Sequence, residues 1–214
     1  MVLKNFIVFE GIDGAGTSTQ IKKLVERGNN CAESSESTEK ARFIATAEPT
    51  GGDTGRFLRR MLAGDFSVDE KTNAYLFAAD RCEHIFGKGG VKELCNSGKI
   101  VVSDRYFFSS MAYQSVSCGE ELPKLLNSPF PLPEILFYFE INPEISLGRV
   151  NARGEQKEIY ETIDKQKAIA ARYEKVISEY EKNSAETGMK VVRINADDSI
   201  ENISEIIWNE LKIS

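Results

Sequence analysis

Five short apolar runs punctuate the chain, at Phe6–Phe9, Phe43–Thr46, Ile100–Ser103, Ile135–Phe139 and Val191–Ile194. They are rich in β-branched and aromatic residues and too short for helices, which predicts strands. Their apolar residues point to both sides, as in strands covered on both faces. Between them the spacing becomes helical. Ile163–Tyr180 carries Ile169, Tyr173, Val176, Ile177 and Tyr180 on one stripe, and the closing stretch carries Ile200, Ile203, Ile206, Ile207 and Leu211 on another. Both stripes read as core-facing, with Trp208 a packing residue. Strands alternating with helices predict an α/β chain: a parallel sheet with helices on both faces. Asn29–Lys40, rich in Ser, Glu and Asn, reads as a solvated loop before the second strand. Pro129, Pro131 and Pro133 form a rigid lead-in to the fourth. No repeat or linker divides the sequence, so residues 1–214 are expected to form a single domain.

Composition narrows the partners. The formal charge is −6 over 214 residues, with no basic block. That argues against extended nucleic acid but leaves room for a small anion in a locally basic cleft. No apolar run is long enough to span a membrane, and the first strand begins too early for a signal peptide, so a cytoplasmic location is expected. Cys31, Cys82, Cys95 and Cys118 lack C-x-x-C spacing, and His84 is the single histidine. A zinc site is therefore not expected, and the thiols read as reduced.

One segment carries chemistry. Gly11-Ile12-Asp13-Gly14-Ala15-Gly16-Thr17-Ser18 follows the first strand, and Thr19–Val25 reads as a helix after it. Strand, glycine loop and helix N-terminus together make a nest of N–H groups for phosphate. The spacing is that of G-x-x-x-x-G-K-[ST] with Thr17 at the lysine position. Gly11, Ile12, Asp13, Gly14, Ala15, Gly16, Thr17, Ser18 and Thr19 are thus the candidate nucleotide-binding residues. Ser18 is placed to offer its hydroxyl to Mg²⁺. Asp104 ends the third strand, where parallel sheets bind ligands, and could hold Mg²⁺ directly or through water. It also reads as a helix N-cap, and the two roles are compatible.

With Asp104-Arg105-Tyr106 in view, the chain resembles thymidylate kinase nearly end to end. Phe9-Glu10-Gly11-Ile12-Asp13-Gly14-Ala15-Gly16 looks like that family's F-E-G-x-D-G-[AS]-G opening, and Glu48-Pro49-Thr50 like its E-P-[GT] loop. Leu76–Arg81 is similar to its L-F-x-A-x-R helix. Asp104–Gln114 is similar to its D-R-[YH]-x-x-S-x-x-A-[YF]-Q segment. The resemblance implies a P-loop NTPase-type three-layer fold, with a five-stranded parallel sheet and an arginine-bearing lid at about 149–161. It implies Mg²⁺-dependent transfer of the ATP γ-phosphoryl group to dTMP, and a homodimer.

It also implies roles. Phe77 would stack on thymine, although unaided it reads as core. Arg81 and Arg105 would grip the dTMP phosphate. Asp13 would sit by the 3′-hydroxyl and the acceptor phosphate, Ser110 and Gln114 would read the base edge, and Tyr113 would crowd the 2′ position. Glu48, Pro49 and Tyr160 would line the acceptor site, with Tyr160 and Glu161 closing the lid.

The chain departs from the family where cations are expected. Thr17 replaces the loop lysine, Ala47 stands at the arginine of R-E-P, Ile159 stands at the lid arginine, and Gly14 excludes a loop arginine. Phosphoryl transfer depends on positioning and charge neutralisation, so replacement cations are expected. Arg153 is the expected transition-state contact, with Arg149 and Lys157 in support. Arg153, Asp13, Arg105 and Arg149 form the candidate catalytic set. Two alternatives stay open: another nucleoside monophosphate kinase, or a catalytically weak nucleotide-binding protein of kinase ancestry.

Overall fold

The computed structural model describes residues 1–33, 43–152 and 162–211. Five strands, β1 (Val2–Gly11), β2 (Phe43–Ala47), β3 (Ile100–Asp104), β4 (Leu132–Glu140) and β5 (Lys190–Asn195), form one sheet in the order β2-β3-β1-β4-β5. All neighbours are parallel. Each predicted run lies inside one of these strands. Helices connect them: α1 (Thr17–Glu33), α2 (Asp53–Leu62), α3 (Glu70–Phe86), α4 (Val91–Asn96), α5 (Phe107–Cys118), α6 (Glu121–Asn127), α7 (Pro143–Ala152), α8 (Ile163–Lys182), α9 (Ser184–Thr187) and α10 (Ile200–Leu211).

The period-2 alternation of strand side chains creates two cores. On one face Phe6 and Val8 of β1, Val101 of β3 and Leu136 and Tyr138 of β4 pack with α5 and α8 residues such as Phe108, Ile169 and Ile177. On the other, Ile7, Phe9, Val102, Phe137 and Phe139 pack with Ile21 and Leu24 of α1 and Ile203 and Ile207 of α10. Phe6, Val8 and Phe9 are wholly buried. Fully burying each such side chain is worth roughly 1.5–3 kcal/mol, so the central strand anchors both layers. Trp208 packs on the second core, with the Arg27 guanidinium 4.4 Å above its ring.

One boundary differs from expectation. Residues 29–33 continue α1 instead of opening a loop. Asn29 supplies the reason. Its Oδ1 accepts from the Phe43 amide at 2.9 Å and its Nδ2 donates to the Phe43 carbonyl, so a polar helix residue caps the start of β2. Residues 34–40 of the expected loop lie outside the described residues.

Candidate active site

The C-terminal ends of β1, β2 and β3 open into a cleft of about 260 Å³. Its lining includes Ile12, Asp13, Gly14, Gly16, Thr17, Ser18 and Thr19, which brings the predicted loop to one wall. Gly11 and Ala15 are buried behind that wall. A Cβ on Gly11 would stand 3.0 Å from the Phe139 carbonyl, so the loop needs glycine to pack on β4. Gly14 and Gly16 have φ of 87° and 93°. These left-handed values let the chain turn into α1, whose first helical hydrogen bond from Gln20 reaches the Gly16 carbonyl. Thr17 opens α1, so the N-terminus of that helix faces the cleft, as an anion-binding helix end would.

Ser18 Oγ donates to Asp104 Oδ2 at 2.5 Å. A hydroxyl and a carboxylate oxygen are thus joined across 86 positions at the end of the loop. Both are hard oxygen donors beside the glycine-loop wall, a donor set that fits Mg²⁺ held by one or two protein oxygens, water and phosphate. Asp104 is not a helix cap. α5 begins at Phe107, and the donors of its first turn are satisfied by Glu10 instead: its Oε1 accepts from the amides of Tyr106 at 2.8 Å and Ser109 at 3.1 Å.

The opposite wall is built around Arg105. Its φ of 73° is left-handed, an arrangement costing a side-chain-bearing residue about 1–3 kcal/mol. Flanking bonds hold it there: Arg105 N donates to the Phe9 carbonyl at 2.9 Å, and Ser103 Oγ to the Arg105 carbonyl at 2.7 Å. The turn aims the guanidinium at Asp13, with which it forms an ion pair. Arg105 Nη2 also donates to Tyr113 Oη at 3.2 Å, and its Nη1 to Ser109 Oγ and Tyr173 Oη, each at 3.2 Å. Asp13 Oδ2 accepts from Tyr113 Oη and from Gln166 Nε2, both at 3.1 Å. Burial pushes the Tyr113 and Tyr173 phenols well above their ordinary range, so both are neutral hydrogen-bonding groups here.

At the inner end lie Glu48, Pro49, Phe77, Arg81, Ser110 and Gln114. Arg81 is 1% exposed. Its Nε donates to Glu48 Oε2 at 2.8 Å, its Nη1 to Asn127 Oδ1 at 2.5 Å and its Nη2 to Ser110 Oγ at 3.1 Å. His84 bridges the other Glu48 oxygen and Thr46 Oγ1, at 2.9 and 2.7 Å. Arg81 was expected beside Arg105 on the acceptor phosphate. In the structure it stands with the base-edge candidate Ser110, braced by a buried carboxylate. Its neighbour Asp80 is likewise buried and ties down Thr50 and Thr54. Gln114 Oε1 is buried without a hydrogen-bond partner, an acceptor left for a ligand. Phe77 is half-buried between the cleft and the Leu58–Met61–Leu62 cluster.

Not every expected residue joins the cleft. Arg149 lies on α7 with its guanidinium bonded to the Ala196 carbonyl at 2.9 Å and to Asp197 at 3.2 Å, and it does not line the cavity. Two of its N–H groups are thus taken by oxygens just after β5, away from the cavity. Arg153, Lys157, Tyr160 and Glu161 lie outside the described residues. Among the described residues, the cations lining the cleft are Arg59, Arg81 and Arg105.

Arg59 was missed by sequence reasoning, as were Ser109, Gln166, Tyr173 and Glu10. Arg59 donates to the Pro49 carbonyl. The cluster Arg56, Arg59 and Arg60 directly after the Glu48-Pro49 loop was the available signal. For Tyr173 there was none, because its place on an apolar stripe is indistinguishable from packing.

Comparison with known proteins agrees with this geometry. The family model described as thymidylate kinase matches residues 9–207. A Treponema pallidum protein assigned as a thymidylate kinase is 39% identical over 211 residues, covering 99% of this chain and 96% of its own length. The thymidylate kinase of Leptospira interrogans is 38% identical over 80% of this chain and 81% of its own length. That of Staphylococcus epidermidis is 32% identical over 98% of both. The glycine loop, the Ser18–Asp104 contact and the Arg105 cluster share one cleft, the family model spans residues 9–207, and these relatives match at least four fifths of the chain, which leads to one conclusion: the chain belongs to the thymidylate kinase family, enzymes that phosphorylate dTMP to dTDP with ATP as donor.

Proposed function

We propose that the cleft works in two halves during transfer from ATP to dTMP. The observation that carries this reading is the meeting of the loop and the Asp13–Arg105–Tyr113 cluster within one small cavity. The loop amides cradle the donor phosphates, and Ser18 and Asp104 hold Mg²⁺. When bound, that ion neutralises charge on the donor phosphates. Arg105 grips the acceptor phosphate and Asp13 orients the sugar end. Because the acceptor is already an ionised phosphate, no strong general base is needed, and in-line positioning supplies most of the catalysis.

The base lies at the inner end. Phe77 offers a ring face, and Gln114 Oε1 accepts from the ring N–H that distinguishes thymine from cytosine. Arg81 and Ser110, fixed to each other, donate to an exocyclic oxygen. Tyr113, anchored on Asp13, crowds the sugar. Ala47, at the end of β2, contributes no cation, and Arg59 is the described cation nearest in role. Arg153, in the lid segment, completes the neutralisation that Thr17 does not provide.

A homodimer is part of this reading. Tyr75 and Phe86 of α3 are 56% and 47% exposed, which leaves apolar surface on a helix that could form the contact. Among the described residues no helix is long and apolar enough to cross a membrane.

A coupled assay with ATP and dTMP, dUMP, dGMP or AMP tests the reading. Turnover with dTMP is expected to exceed the others. Comparable turnover with a purine acceptor would assign the chain to another nucleoside monophosphate kinase activity, and tight nucleotide binding without transfer would make it a binding protein.

A further inference from the structure

Glu10 stands one residue before the loop, is wholly buried, and does not itself line the cleft. We propose that Glu10 is a positioning residue: its carboxylate orients the hydroxyls of Ser109 and Tyr173 and pins the first turn of α5, so that Arg105 faces the acceptor phosphate. The inference rests on Arg105 being the residue that grips that phosphate.

The geometry is a fan of donors. Oε1 accepts the amides of Tyr106 and Ser109, while Oε2 accepts Ser109 Oγ at 2.6 Å and Tyr173 Oη at 2.8 Å. Those same two hydroxyls are the 3.2 Å acceptors of Arg105 Nη1. A hydroxyl has one proton to donate. Ser109 Oγ and Tyr173 Oη also lie 2.7 Å apart, so an anionic carboxylate, which can only accept, draws the protons of the pair inward, directly or through one another, and leaves their lone pairs to Arg105. The charge of Glu10 thereby reaches Arg105 through two hydroxyls rather than by contact. The bond to the Tyr106 amide also secures the backbone just after the left-handed Arg105.

Protonation undoes this polarity. A neutral carboxyl must donate a proton of its own to one of the hydroxyls, which is then released to turn its proton toward Arg105. The groups facing Glu10 are Arg105 and Tyr106 from the β3–α5 turn, Ser109 of α5, Tyr138 of β4 and Tyr173 of α8. Arg105 is the cation among them. Burial pushes the Glu10 carboxyl up to about 7, against the lowering effects of Ser109, Arg105, Tyr173 and the Tyr106 amide. Because this folded value lies above the unfolded one, the fold binds the extra proton between the two. Stability attributable to Glu10 therefore falls as pH rises toward 7, while the active arrangement needs the charged form. Stability and activity move in opposite directions at this one residue.

Glu10→Gln keeps the size and the acceptor for both amides but has no charge. Steady-state kinetics from about pH 5.5 to about 9 test it, with Arg105→Ala as control. Glu10→Gln is expected to lower kcat/KM for dTMP by about 10²-fold through a raised KM, with KM for ATP unchanged. Its thermal midpoint at about pH 8 is expected to equal or exceed that of the unsubstituted protein, because a buried charge is gone. The unsubstituted protein is expected to lose kcat/KM for dTMP below about pH 7, and Glu10→Gln to retain only the decline near 6 set by the substrate phosphate itself. An unchanged dTMP KM in Glu10→Gln, or an unchanged acid limb, overturns the inference when Arg105→Ala is impaired. An unimpaired Arg105→Ala overturns it through its premise. If Glu10→Gln does not fold, Tyr173→Phe removes one hydroxyl of the pair: a raised dTMP KM at unchanged ATP KM supports the inference, and an unchanged one overturns it.

Discussion

At the scale of single residues, the proposed donor half turns on the contact between Ser18 and Asp104. Neither oxygen is informative alone, but 2.5 Å apart they would supply two of the six oxygens that Mg²⁺ takes. Asp104→Asn is expected to lower kcat roughly 10–100-fold and to raise the Mg²⁺ concentration giving half-maximal rate, measured by titrating the metal at saturating ATP. Gly14 is constrained twice over. Its φ of 87° disfavours a side chain by about 1–2 kcal/mol, and a Cβ there would fall 2.6 Å from the Ser146 carbonyl. Gly14→Ala should weaken binding of a non-hydrolysable ATP analogue in calorimetry and lower the thermal midpoint together, because Ser146 also holds the Asp13 carbonyl. Thr17→Lys tests the missing lysine. Compensation by the lid predicts less than about a tenfold gain in kcat, whereas a gain near the 10²–10³ of a restored donor would mean an under-neutralised site.

At the scale of elements, α8 shows why a hydrophobic stripe conceals function. Ile169, Tyr173, Val176 and Ile177 are all buried on one face, as their spacing predicted. Yet Tyr173 carries a hydroxyl to Glu10 and Arg105, and Gln166, two turns earlier on the same face, reaches Asp13. Substitutions should separate the two functions. Ile177→Ala is expected to cost about 2–5 kcal/mol in denaturant unfolding with KM for dTMP unchanged. Tyr173→Phe should leave the packing of the ring intact and act mainly on the dTMP KM. The segment after the third strand was easier to read, since Arg105, Ser110, Tyr113 and Gln114 carry a spacing that means little outside this site. The first helix was misjudged at its end because Asn29, a poor helix former in isolation, gains its partners from Phe43 across the turn.

At the scale of the whole molecule, two apolar layers hold one sheet whose strand ends form the cleft. β1 lies between β3 and β4, so the loop after it and the Asp104–Arg105 turn after β3 emerge side by side. Sedimentation at micromolar concentration is expected to give a dimer that Tyr75→Glu or Phe86→Glu disrupts without changing the far-ultraviolet circular dichroism. The sequence by itself determined the strand runs, the helix stripes, the phosphate loop and the family segments. These are local patterns, set by periodicity and by backbone demands on glycine. Tertiary structure alone decided which polar groups meet. It placed Arg81 with Glu48, Asn127 and Ser110 rather than with Arg105, turned Arg149 toward Asp197, brought Arg59 to the cleft, and buried Glu10 behind the Arg105 turn. A side chain's electrostatic role depends on neighbours from distant parts of the chain, and those neighbours come together only when the sheet and its two helical layers close.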